Sequence, residues 1–176
     1  MTATIDPVTE GHAYQQMLLA YLGTDDPAAA QATTPATLRS LVDEAGEDLR
    51  TRPAESEWSV IELVGHIVDA ELVYAGRYRW ILSHDEPPLI GYDQDLWTTR
   101  LGHQSADAAD LLDLFEAVRR SNLALWKRTA AEDRSRVGQH SERGPESYEL
   151  SFRLIAGHDR VHIEQARRTL EQVRGQ

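Results

Sequence analysis

The chain contains no cysteine. Disulfides and thiolate metal sites are excluded, and the protein cannot supply its own sulfur nucleophile. Lysine is almost missing too: Lys127 is the only one, and every other basic side chain is arginine. The net charge is -11. Such a balance argues against a nucleic-acid face, because neutralising phosphates requires clustered Lys and Arg, and leaves only a local patch such as Arg167 and Arg168 open. No apolar run is long enough to span a membrane, and apart from histidine the first basic residue is Arg39. A signal peptide and a membrane partner are therefore not expected, and the cytoplasm is the expected compartment. No stretch alternates apolar and polar residues with period two for long enough to demand a sheet.

What remains is helical periodicity. The sequence predicts an all-α protein, a four-helix bundle in one domain over residues 1–176, with 1–33 as a helical lead-in. The first bundle helix is expected to open at Thr34, with Pro35 in its first turn. Leu38, Leu41, Val42, Ala45 and Leu49 then share one face. The second carries the strongest start signal: in EWSVIEL (57–63), Ser59 and Glu62 have capping-box spacing, and Trp58 and Leu63 fit a hydrophobic staple. It runs to about Leu82 and is apolar around most of its circumference. The third is expected from Ser105, with Leu111, Leu114, Phe115, Val118 and Leu125 inward. The fourth runs from about Ser147 to Val173. A short link makes the first two helices antiparallel neighbours. The crossover 84–104, between the second and third helices, is long enough to run the length of a bundle, which gives up-down-down-up. Tyr92 and Trp97 should pack it down.

Against this apolar background the histidines stand out. GHDRVHIEQ (157–165) places His158 and His162 four residues apart on one helical face. His66 sits midway along the most buried helix, in ELVGHIVDAE (62–71), beside Gly65. Imidazoles are costly to bury unpaired. Three inward rings from two helices offer three nitrogens and leave one position open, the catalytic form of a zinc site. Two core histidines hydrogen-bonded to backbone or carboxylate are the bland alternative for the pair alone. Asp69 and Asp159 are candidate acceptors from ligand imidazoles, with an exposed ion pair the alternative for Asp159. His12, His84, His103 and His140 are read as solvated, the last two nearest a pocket mouth. HDRVH is a poor zincin motif. Its acid is the shorter Asp159, and little chain follows His162 to supply a third ligand.

The WSVIELVGHIVDAE helix, the PPLIGYDQDLW crossover and GHDRVHIEQ together resemble the DinB/YfiT-like superfamily over residues 12–172. The resemblance implies an up-down-down-up bundle, often a homodimer, with a divalent metal (Zn or Ni foremost) on His66, His158 and His162. It implies three competing functions. The first is a transferase that joins a low-molecular-weight thiol, bacillithiol or mycothiol, to an electrophile. The second is a hydrolase acting through a metal-bound water, for which no Glu is clearly placed as proton shuttle. The third is a non-catalytic metal-binding stress protein. For a small-molecule substrate, the expected pocket residues are Asp69, Tyr92, Trp97 and Gln165.

Overall fold

The computed structural model describes residues 10–175. The first nine residues of the expected lead-in, and Gln176, lie outside the described residues. Six α-helices are described: α1 (Gly11–Leu22), α2 (Pro27–Ala45), α3 (Val60–Ser83), α4 (Gln94–Arg100), α5 (Ala108–Arg128) and α6 (Tyr148–Arg174). The bundle itself is α2, α3, α5 and α6. Core partners give the directions. Leu41 and Ala45 meet Val60, Leu63, Ala166 and Leu170 at one end. Near the other, Tyr74, Tyr78 and Ile81 meet Tyr148 and Phe152. Between them Leu112 and Phe115 pack with Val64 and Ile67. Hence α3 runs against α2, α5 runs with α3, and α6 runs with α2: up-down-down-up, as expected. The two helices joined by the short link are antiparallel but not neighbours. Helix α2 packs chiefly on α5 and α6, and α3 lies diagonally across.

The α3 start follows the capping box. Glu62 Oε2 accepts from the Ser59 backbone N–H and hydroxyl, each at 2.9 Å. Arg52 pairs with the same carboxylate. Burial alone would raise the Glu62 pKa, but the bonds from Arg52 and Ser59 outweigh it and hold the group below its usual value. Trp58 packs on the cluster that contains Leu63, as the staple requires.

Helix α2 departs from the expected start. It opens at Pro27, where Asp26 Oδ1 caps Ala29 N at 2.7 Å, and Pro35 lies inside it. A proline has no N–H for the carbonyl four residues back. That carbonyl, Gln31 O, accepts from Arg119 Nη1 at 3.2 Å instead. Helix α5 starts at Ala108 rather than Ser105, because Asp107 Oδ1 caps Ala109 N and Asp110 N. Its inner face is Leu112, Phe115, Arg119 and Asn122; Leu114 is exposed.

Helix α1 is the expected helical lead-in; it lies along α6, where Gly157 lets the Leu18 carbonyl approach and a Cβ would collide. A small sheet joins β1 (Pro88–Leu89), parallel, to β2 (Val137–His140), which pairs antiparallel with β3 (Gly144–Ser147). At two to four residues these strands leave no periodic signal. They tie the crossover to the α5–α6 connection and so fix one side of a cavity. Among the described residues no helix is long and apolar enough to cross a membrane.

Candidate metal centre

Helix α3 delivers His66 and α6 delivers His158 and His162, all three buried. His66 Nε2 lies 3.0 Å from His158 Nε2 and 3.2 Å from His162 Nε2. Four-coordinate binding at ~2.0–2.1 Å per nitrogen separates ligand nitrogens by about 3.3 Å. The three side chains therefore fit a single divalent ion with little adjustment.

Their protonation states suit that ion. Burial lowers the pKa of His66, helped by His162 and His103. Burial and then the other two rings lower His158. Burial brings His162 to about 4, although the bond to Gln165 pulls the other way. All three are neutral at pH 7, the form that ligates metals. Gln165 Oε1 lies 2.9 Å from His162 Nδ1 and accepts its proton, which leaves the Nε2 lone pair facing inward. The Trp58 ring covers His66 with centroids 5.1 Å apart. His158 Nδ1 has no hydrogen-bond partner among the described residues.

The two aspartates do other work. Asp69 Oδ2 accepts from His103 Nε2 at 2.6 Å. His103 is buried, not solvated, because its ring lies over Gly65 in space that a Cβ would take. The room beside Gly65 thus admits a ring from the crossover rather than another helix. Asp159 is neither a ligand's acceptor nor an exposed ion pair. Its Oδ2 accepts from Arg119 Nη1 at 2.6 Å and from the Thr34 hydroxyl at 2.9 Å. Arg119 also donates to Glu71 Oε2 at 2.8 Å, and Asn122 to Glu71 Oε1 at 2.8 Å. Burial disfavours the Arg119 charge, but Asp159 and Glu71 outweigh it and raise its pKa. This clasp joins all four bundle helices one residue beyond His158.

A cavity of about 470 Å³ opens beside the histidines, within the range for small-molecule sites. His66 and His158 form one part of its wall, Ala70 and Tyr74 the next, and Arg77, His140 and Arg143 lie beyond them. Tyr92 lines it as expected. Trp97 does not, but packs on Tyr92 with centroids 4.6 Å apart. His140 is buried rather than solvated, and its Nε2 accepts from Arg77 Nη2 at 3.1 Å. Burial, then Arg143 and Arg77, push its pKa down to about 4. Arg77, Glu71, Arg119, Arg143 and Glu146 were not singled out from the sequence. The signal for Arg119 was present: Phe115, Arg119 and Asn122 keep the helical period of a buried face.

Fold and site together define a four-helix-bundle protein with a three-histidine constellation suited to a divalent metal. The chain belongs to the DinB superfamily, whose family model matches residues 29–166. A protein of Halalkalibacterium halodurans is 26% identical over 132 residues, 74% of this chain and 77% of its own length. One of Oceanobacillus iheyensis is 23% identical over 124 residues, 70% and 72% of the respective chains. Both are named, provisionally, as metal-dependent hydrolases. The solved structure of YfiT from Bacillus subtilis superposes with a TM-score of 0.74 at 20% identity, covering 99% of this chain and 93% of YfiT. YfiT is described as a probable metal-dependent hydrolase with an unusual four-helix bundle topology.

Proposed function

We propose that His66, His158 and His162 hold one zinc or nickel ion through Nε2, and that the protein is a transferase joining a low-molecular-weight thiol to an electrophile. The observation that carries this reading is the placement of His66 and His158 on the wall of a cavity of small-molecule size. Such an ion would supply Lewis acidity and favour the thiolate form of a coordinating thiol. The protein's own groups then do the rest. Three buried neutral imidazoles keep the site free of competing protons, and Gln165 orients His162. The cavity walls hold both reactants close together, which is where proximity contributes. Tyr92, packed on Trp97, gives one wall a firm aromatic face.

The names of the relatives favour a second reading, a metal-dependent hydrolase on the same ligands. Two assays separate the readings. Metal-loaded protein is incubated with bacillithiol or mycothiol and a monohalobimane, and separately with a panel of esters and amides. Transferase activity appears as conjugation above background that His162→Ala removes. Metal-dependent turnover of the ester or amide panel, with no thiol conjugation, would reassign the protein to the hydrolases.

A further inference from the structure

Arg77 on α3 and Arg143 in the turn between β2 and β3 line the cavity beyond the histidines. Arg77 is 3% exposed. One of its terminal nitrogens, Nη2, donates to Ile90 O at 2.9 Å and to His140. Its Nε has no partner among the described residues. The Arg143 side chain is 9% exposed and uses Nε and Nη2 on a single oxygen, Glu146 Oε2. Glu146 is itself shared, accepting also from Gln15 and Ser151. Two nearly buried guanidiniums therefore face one buried carboxylate, with His140 neutral between them. Glu142, Asp93 and Asp95 also line the cavity, but all three are exposed, and Asp93 Oδ1 caps Leu96 N. Buried charges are stable when paired, yet the hydrogen bonds of Arg77 go to a carbonyl and a neutral imidazole rather than to a carboxylate.

We propose that this end of the cavity binds the anionic group, a carboxylate or phosphate, of the small molecule whose reacting end lies at His66 and His158. The proposal rests on the reading of the cavity as a substrate site and adds the chemical class of the ligand. Guanidiniums suit planar carboxylate and phosphate oxygens through paired N–H donors. Tyr14 and Tyr92 line the same space, and burial raises their pKa so that their hydroxyls stay protonated.

The helix sets the ligand's length. His66, Ala70, Tyr74 and Arg77 follow one face of α3, and at 1.5 Å per residue His66 and Arg77 lie roughly 16 Å apart along the axis. The Arg77 guanidinium folds back over the Tyr74 ring, 4.9 Å from its centroid. That shortens the span by about one turn, to roughly 11 Å. Ala70, between the two ends, keeps the path open. The ligand is thus elongated, with its anion at the end remote from the reacting atom.

The test uses full-length, metal-free protein with succinate and inorganic phosphate as probes, read by calorimetry and thermal shift. Dimethyl succinate is the uncharged control. Both anions should bind and raise the melting temperature, and the diester should do neither. His66→Ala should leave anion binding unchanged. Arg143→Gln removes the ion-pair partner of Glu146 but leaves its bonds from Gln15 and Ser151, and Arg143→Gln/Glu146→Gln, which keeps the wild-type net charge, is measured beside it. Each folded variant should bind the anions at least tenfold more weakly. The proposal is overturned by no anion binding, by binding that His66→Ala abolishes, or by wild-type affinity in both folded Arg143 variants. Because no metal, thiol or turnover enters the readout, failure of the transferase assay leaves this result standing, and the reverse also holds.

Discussion

Replacing Asp159 with alanine should destabilise the bundle by about 3 kcal/mol while leaving metal binding nearly intact. Asp159 is 1% exposed, and its Oδ2 receives both Arg119 and the Thr34 hydroxyl. Removing one partner of a buried ion pair typically costs ~3–5 kcal/mol, because the other charge stays buried. Arg119 would keep Glu71 and Gln31 O, which places the cost at the lower end. At ~2–4 °C per kcal/mol for a chain of this size, the melting temperature of the metal-free protein should fall by about 6–12 °C. Urea titration gives the free energy and circular dichroism the temperature. Metal affinity, by competition with a chromogenic chelator, should change less than about tenfold, since no histidine nitrogen bonds to Asp159. A metal affinity loss beyond that, with stability unchanged, would return Asp159 to the role of an acceptor for the ligand rings.

Metal-free protein should lose stability as pH falls from about 6.5 to about 4. The folded-state pKa of His162 is depressed to about 4, so in this window the unfolded chain binds more protons and the folded state is disfavoured. At ~1.4 kcal/mol per unit this one ring accounts for about 3 kcal/mol, and His66 and His158 act in the same direction. Urea titrations at stepped pH measure it, and a flat profile would contradict the buried neutral triad. Gly157→Ala should cost ~1–3 kcal/mol through overpacking, because its Cβ would meet the Leu18 backbone, which cannot turn aside as a side chain can. Hydrogen exchange should show α1 losing protection before the bundle; equal protection in both forms would show that the close approach does not matter.

The sequence reported its local and periodic features and hid its long-range polar ones. Ser59 and Glu62 mark the α3 start because a capping box is contained in four residues. The triad was legible because His158 and His162 share a helical face and His66 sits in an apolar stretch. Pro35 misled, since a proline reads as a first-turn residue. Its place inside α2 makes sense only once Arg119, far along the chain, takes the released carbonyl. Arg119, Glu71 and Glu146 look like ordinary solvated charges, because their burial depends on partners from other elements. The same limit hid His103 and His140: short turns and strands, too brief for periodicity, carry them inward.

Metal analysis of protein purified without an affinity tag tests most directly whether one metal ion binds at His66, His158 and His162. The wild type should carry about one zinc or nickel per chain. His66→Ala should lose tight binding while keeping most of its helix content by circular dichroism. Unchanged stoichiometry in His66→Ala, or a folded wild type that takes up no divalent ion, would contradict the account.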